Sequence, residues 1–328
     1  MTLTIAAPAM APPLLSPQAV IHIPGGEHGI GFDDIGYFPS LGKVSIPAGQ
    51  TGRLVLIDPA SGTIVNSYQV TAPAAAAHGH HEEGTSSAAY GDGYIFASDH
   101  AAPGVVVLDA RDGQVLSRIK LASGPDYVRY LEARHELWVT EPHAQQIQVF
   151  NVQLSPKLAI TLNSNIPING GPESLVFDAD MNRAYTNLWK QKTVVIDTNT
   201  FKQVGEWNDA CKGPRGLALD AAKGFLFVAC TEGKVAVLDV NHGGKVLATA
   251  PSGAGIDIIS YDPKSGHLYV PGARSASMTI FKVSSSGSLH ALADYRTAQG
   301  AHCVTDDGRG TAFVCDPRAG AILEIKSP

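Results

Sequence analysis

Three of the chain's 12 histidines stand almost together, in the run His78-Gly79-His80-His81-Glu82-Glu83. Neutral imidazole is the commonest metal ligand, and several imidazoles converging from different loops suit Zn, Cu or Fe. Gly79 lets the backbone bend so that neighbouring rings can turn to one side. Local spacing alone favours a solvated His-rich tip in a Gly/Ala segment. A metal site becomes the better reading only if His28, His100, His143 and His302 reach the same place.

A second constellation sits two residues after a recurring glycine. Gly124, Gly171, Gly213, Gly255 and Gly300 lead to Asp126, Glu173, Arg215, Asp257 and His302. Asp33 or Asp34 is the counterpart near the start of the chain, and Ser86 follows it. Charged groups gathered around one cavity shift each other's pKa values and serve as acids, bases or anion clamps. Asp126, Glu173, Arg215 and Asp257 are therefore the candidate catalytic residues. Arg215 would either neutralise its acidic neighbours or hold a carboxylate or phosphate of a substrate. The plain alternative is a water-filled channel lined by polar side chains that carry out no chemistry.

The elements that would position these residues recur along the chain. From Gly171 to Trp207 the sequence reads as four short strands separated by turn-forming residues: Ser174–Phe177, Ala184–Thr186, Thr193–Asp197 and Lys202–Trp207. The same order restarts at Gly213, an interval of 42 residues. A period of about 40 to 50 residues with four strands per unit marks a β-propeller. Seven such units fit between Gly29 and Ile325, which implies an all-β protein with one ring of antiparallel blades spanning residues 18–328. The last unit ends after three strands, so residues 18–24 (with Ala19-Val20-Ile21-His22-Ile23 alternating) are expected to close the ring as its fourth.

This topology sorts the histidines. In an up-and-down blade, the loop entering the first strand and the loop joining strands two and three share a face. His28 enters blade one, His78, His80 and His81 enter blade two, and His302 enters blade seven. His100 and His143 follow the second strands of blades two and three. These seven are the candidate metal ligands. Tyr127, Tyr130, Trp189 and Tyr261 are aromatics expected near this face, with Trp189 and Tyr127 the better candidates for a pocket wall. Cys211 and Cys230 form one blade-local pair and Cys303 and Cys315 another, as disulfides or as buried thiols. Cys303 beside His302 is also a lesser candidate for metal ligation.

The Val-x-Val-Ile/Leu-Asp third strands and the Leu-Tyr/Phe-Val second strands resemble the YncE-like "YVTN" family of seven-bladed propellers. The literal Tyr-Val-Thr-Asn run is missing, its nearest forms being Tyr185-Thr186-Asn187 and Trp138-Val139-Thr140-Glu141. The resemblance covers nearly the whole chain and implies the fold. The family includes binding proteins and companions of redox enzymes, so activity must be argued from the site.

Composition removes several classes of function. A net charge of −6 with no long run of one sign gives no footprint for nucleic acid. No apolar run approaches the roughly 18 residues of a membrane span. Residues 1–17 are apolar but lack a basic start and are cut by prolines, and a flexible leader is expected there. Phosphate-binding glycine loops, the Gly-x-Ser-x-Gly elbow and Cys-x-x-Cys-His are all missing. Neither compartment nor oligomeric state follows from these residues. The expectation is a metal-dependent enzyme (Cu, Zn or Fe) performing lyase or redox chemistry on a small molecule at the channel mouth. The alternative is a non-catalytic propeller that binds a ligand, ion or protein through the same face.

Overall fold

The computed structural model describes residues 14–74 and 83–328. It consists of seven four-stranded antiparallel sheets arranged in a ring. Blade four shows the plan, with Glu173–Asp178, Arg183–Leu188, Lys192–Asp197 and Lys202–Asn208 paired in that order from the channel outward. The other inner strands are Gly36–Phe38, Ala88–Gly91, Val128–Leu131, Pro214–Asp220, Ser260–Asp262 and Val304–Asp306. Among the described residues the helical content is three short 3₁₀ turns, and no helix is long and apolar enough to cross a membrane.

Burial explains why the middle strands carry the clearest pattern. Every residue of Phe225–Cys230 is buried, whereas the outer strand Thr63–Gln69 alternates between exposed and half-buried positions. Each sheet packs its two faces against its neighbours. Phe227, Val235 and Val237 of blade five, for example, meet Leu268, Val270 and Phe281 of blade six. A fully buried side chain of this size contributes roughly 1.5–3 kcal/mol, so these inter-blade layers hold the ring together.

The aspartate that ends many third strands has a local purpose. Asp58, Asp109, Asp197 and Asp239 accept hydrogen bonds from backbone N–H groups two residues on, at 2.9–3.0 Å. The carboxylate thereby closes the turn into the outer strand. The ring closes as the sequence predicts: Ala19–His22 is the outermost strand of blade seven, with Ala19 opposite Glu324 and His22 opposite Ala321. Gly320 makes that closure possible, because its φ is +56° and a Cβ there would stand 2.1 Å from Gly26 O. Of the expected leader, residues 1–13 lie outside the described residues, and Leu15 pairs with Tyr295 of blade six.

Replacing Phe227 by Ala is expected to lower stability by about 3–5 kcal/mol. Val204→Ala, on an exposed outer strand, should change it by less than about 0.5 kcal/mol. Denaturant titration of both variants against the parent measures the difference.

Candidate functional site

In extended backbone, successive side chains point to opposite sides. That alternation divides the channel in two. Asp33, Asp126 and Asp257 line an upper pocket, on the face where chains enter the inner strands. Their successors Asp34, Tyr127 and Ile258 line a lower cavity of about 480 Å³. The upper pocket holds about 410 Å³ and is completed by Glu173, His100, His143 and Trp189, with Pro103, Pro125 and Pro142 as its apolar wall.

Two β-bulges shape the rim. Pairing shifts between Glu173 and Val176 in blade four and between Pro214 and Leu217 in blade five. Such an irregularity re-aims the side chains beside it, here Glu173 and Arg215. Arg215 Nε lies 3.8 Å from Glu173 Oε1, and Arg215 opens onto a side cavity of about 360 Å³ shared with Asp257, Arg274 and His302. Its guanidinium thus stands against an acidic neighbour.

Between the two cavities, Arg129 reaches from blade three to blade one. Its Nη1 and Nη2 donate to Asp34 Oδ2 and Oδ1 at 2.5 and 2.8 Å, and its Nε donates to Leu175 O of blade four at 3.1 Å. Ser87 of blade two donates to the same carboxylate at 2.5 Å. One bidentate ion pair with two further hydrogen bonds therefore joins four blades.

The remaining acids are crowded. Burial first, and then the charges of Glu173, Asp33, Asp257 and Asp34, push the Asp126 carboxyl well above the usual carboxylate range. Burial and the nearby Asp257 raise Glu173 to about 7, against the opposing pull of the Trp189 indole N–H and Arg215. Trp189, 41 % exposed, donates that hydrogen bond to Glu173 Oε2 from the loop between the second and third strands. His100 Nε2 lies 2.8 Å from Ser86 Oγ.

The predicted metal ligands separate into groups. His100 and His143 line the upper pocket, while buried His302 stands with Asp33 and Asp257, their ligand atoms all within 4.8 Å of one another. His28 joins neither group among the described residues. Successive turns, from Ile23 to Gly26 and from Gly26 to Gly29, wrap its segment along the rim and leave it exposed. His78, His80 and His81 lie outside the described residues. Three aromatics belong elsewhere than expected: Tyr127 lines the lower cavity instead of the upper pocket, and two others pack lower on their blades. Tyr130 stacks on Phe96 and donates to Asp92 at 2.5 Å, and the Tyr261 hydroxyl donates to Asp220 at 2.7 Å. Both lie further along their strands, towards the lower face.

Both cysteine pairs are disulfides, with Cα atoms 5.2 Å apart for Cys211–Cys230 and 5.6 Å apart for Cys303–Cys315. The second bond anchors the residue directly after His302 to the adjoining strand Thr311–Asp316. Sequence reasoning missed Arg129 and the Phe32 carbonyl, which lies 2.9 Å from His302 Nε2. A cation inside a short inner strand, where an apolar residue would ordinarily pack, was the available signal for Arg129.

No protein-family model and no curated protein matches the chain. Solved structures resemble it in shape across nearly their whole length. A chain of Kuenenia stuttgartiensis hydrazine synthase is 14% identical with a TM-score of 0.72, covering 93% of this chain and 97% of that one. A chain from the crystal structure of the mitotic checkpoint complex is 11% identical with a TM-score of 0.75, covering 99% and 98%. The β-propeller domain of Myceliophteria thermophila Cps50 (Swd1) is 11% identical with a TM-score of 0.72, covering 94% and 100%. At these identities the likeness is one of fold. The seven-bladed ring expected from the repeat pattern is present, while no family match supports the YncE-like assignment.

Removing the Cys303–Cys315 bond with a Cys303→Ser, Cys315→Ser double variant is expected to cost about 2–4 kcal/mol, read by denaturant titration under oxidising conditions. The raised Glu173 pKa fixes the sign of a second effect. The folded state holds this proton more tightly than the unfolded state, so its contribution is fully present below pH 4.5. It is lost as pH rises through about 7. Thermal melts in chelator should therefore show the parent losing stability across that window and Glu173→Gln following a flatter profile.

Proposed function

We propose that this protein is a metal-dependent enzyme that transforms a small molecule in the upper pocket, by lyase or redox chemistry. The observation that carries the reading is the pairing of Asp126 and Glu173 in one cavity. Glu173 titrates near neutrality and Asp126 keeps its proton well above the ordinary carboxylate range. Two carboxyl groups so tuned are suited to receiving and delivering a proton within one reaction.

In this reading Asp126 is the proton donor and Glu173 the group that takes a proton from the substrate. Burial, and then Asp257, hold Glu173 in its raised state, and Trp189 and Arg215 moderate that effect. Trp189 and the three prolines form the apolar wall against which a substrate lies, while His100 and His143 supply polar contacts or metal ligation. A bound metal would polarise a substrate oxygen or acidify a water. His302 is the third candidate imidazole for that ion, His28 a remoter one, and His78, His80 and His81 belong to the same proposal. Cu, Zn and Fe are the ions that an imidazole-rich set would favour. The YncE-like pattern of the repeats accords with this reading, since that family includes companions of redox enzymes.

The test is a mass-spectrometric screen of a small-molecule panel with metal-loaded protein purified without a His tag. Turnover of one compound, reduced at least about 100-fold in both Asp126→Asn and Glu173→Gln at unchanged metal content, is the expected result. Saturable binding of a compound that is never converted would replace the enzyme by a binding propeller using the same face.

A further inference from the structure

A further cavity, of about 450 Å³, lies beside the third and outer strands of blade two, Gly104–Asp109 and Val115–Lys120. Ala102, Pro103, Val105, Ile119, Leu121 and Ala122 give it an aliphatic lining, and no aromatic ring stands among the described residues around it. Two of its charged groups offset each other. Arg118 Nη1 donates to Asp99 Oδ2 at 3.0 Å, and Arg118 Nη2 donates to Val70 O at 3.1 Å.

Two chain segments border both this cavity and the upper pocket. Residues 99–104 carry Pro103, which lines the two of them. Residues 121–126 begin with Leu121 and Ala122 in the aliphatic cavity and end with Gly124, Pro125 and Asp126 in the upper pocket. Five residue steps span at most about 18 Å, which bounds the distance along this segment. Both segments are firmly held. Leu121 N donates to Pro103 O at 3.0 Å, Ser123 N donates to Oε2 of the buried Glu141 at 2.6 Å, and a Cβ at Gly104 would stand 2.4 Å from Ile119 O. Val105 and Leu121 also belong to the buried layer against blade three. The cavity is therefore preformed, as small-molecule sites usually are, and filling it with hydrocarbon removes apolar surface from water.

We propose that this cavity receives the apolar arm of the small molecule whose polar end lies in the upper pocket, so that the ligand is an amphipathic compound with an aliphatic chain. The inference rests on the upper pocket being the binding site, as in the reading above, and adds the class of substrate. Aliphatic walls with no ring to stack against suit a flexible chain, whereas Trp189 offers an aromatic surface only on the upper-pocket side. Binding energy from such a remote, unreactive arm orients the polar end against Asp126 and Glu173.

The probes are straight-chain 1-alkanols from propanol to decanol, titrated into the full chain and followed by the methyl NMR signals of Val105, Ile119 and Leu121. These signals are expected to shift, and affinity to rise about threefold to fourfold per methylene until the cavity is filled. An Ala102→Phe, Ala122→Phe double variant should abolish the dependence on chain length. Both alanines are exposed, so the packed layers are untouched, and circular dichroism with thermal melts checks that the variant folds. Ala291→Phe, on the exposed outer strand of blade six, should keep the parent's slope. A slope that persists in the double variant, or shifts confined to other cavities, overturns the proposal. Methyl shifts that follow protein concentration in place of alkanol also overturn it, and assign the cavity to a second copy of the chain. The expected slope in a chain that converts no compound supports the proposal and removes the enzyme reading. Turnover dependent on Asp126 and Glu173, with no slope and no shift at Val105, Ile119 and Leu121, overturns the proposal alone.

Discussion

Hydrogen bonds tie each blade to the next around the channel, and the whole ring depends on that circuit. Asp34 N donates to Ser86 O between blades one and two. Val128 N donates to Ser87 Oγ, Arg129 Nε to Leu175 O and Asn187 Nδ2 to Arg215 O across the next three junctions. Gly216 N bonds to Asp257 O and Ile258 N to His302 O, and the His302 ring meets Phe32 O to complete the circuit. Polar groups left unpaired at these junctions would carry a desolvation cost of about 1–3 kcal/mol each. The circuit holds the blades at a fixed spacing and gathers the side chains between them.

That confinement sets the electrostatics. Two like charges 4 Å apart repel by about 4 kcal/mol at an effective dielectric constant of 20, so Asp33, Asp34, Asp126, Glu173 and Asp257 cannot all be charged in isolation. The molecule distributes the load in different ways. Asp34 is neutralised by Arg129, and Glu173 is partly relieved by Arg215 and Trp189. Asp126 retains its proton because burial and four neighbouring carboxylates oppose ionisation. Asp33 and Asp257 stand beside His302, their polar atoms within 4.8 Å of one another.

Much of the fold was legible in the sequence because the second and third strands bury nearly every residue, leaving compact runs such as Phe225–Cys230 and Gly104–Asp109. Five of the seven inner strands are shorter, three or four residues each, and the inner strands were located by the glycine preceding them. That marker pointed to Asp126, Glu173 and Asp257, which line the upper pocket, and to His302, which stands beside Asp257. It could not choose between Asp33 and Asp34, because the parity of alternation depends on where the strand begins. Shared loop position was too coarse a guide for His28, whose turn keeps it at the edge, and for Tyr130 and Tyr261, which lie a few residues further down their strands. The Phe32 carbonyl had no sequence signature at all, since every residue has one.

The seven blades repeat a backbone plan, while the rim position varies, with aspartate in blades one, three and six and Ser, Glu, Arg and His in the others. This separation lets chemistry vary without disturbing the core, since rim residues project into the channel and the packing layers lie outside them. Acids from blades three and four, Asp126 and Glu173, line the pocket with Trp189 and His143. Blades one, six and seven supply Asp33, Asp257 and His302 on its other side. Asp33 and Asp257 belong to both groups, so the two sides of the rim share carboxylates. Two shared carboxylates thereby link the buried acids on one side to the imidazole on the other, an arrangement that a ring of identical rim residues would not provide.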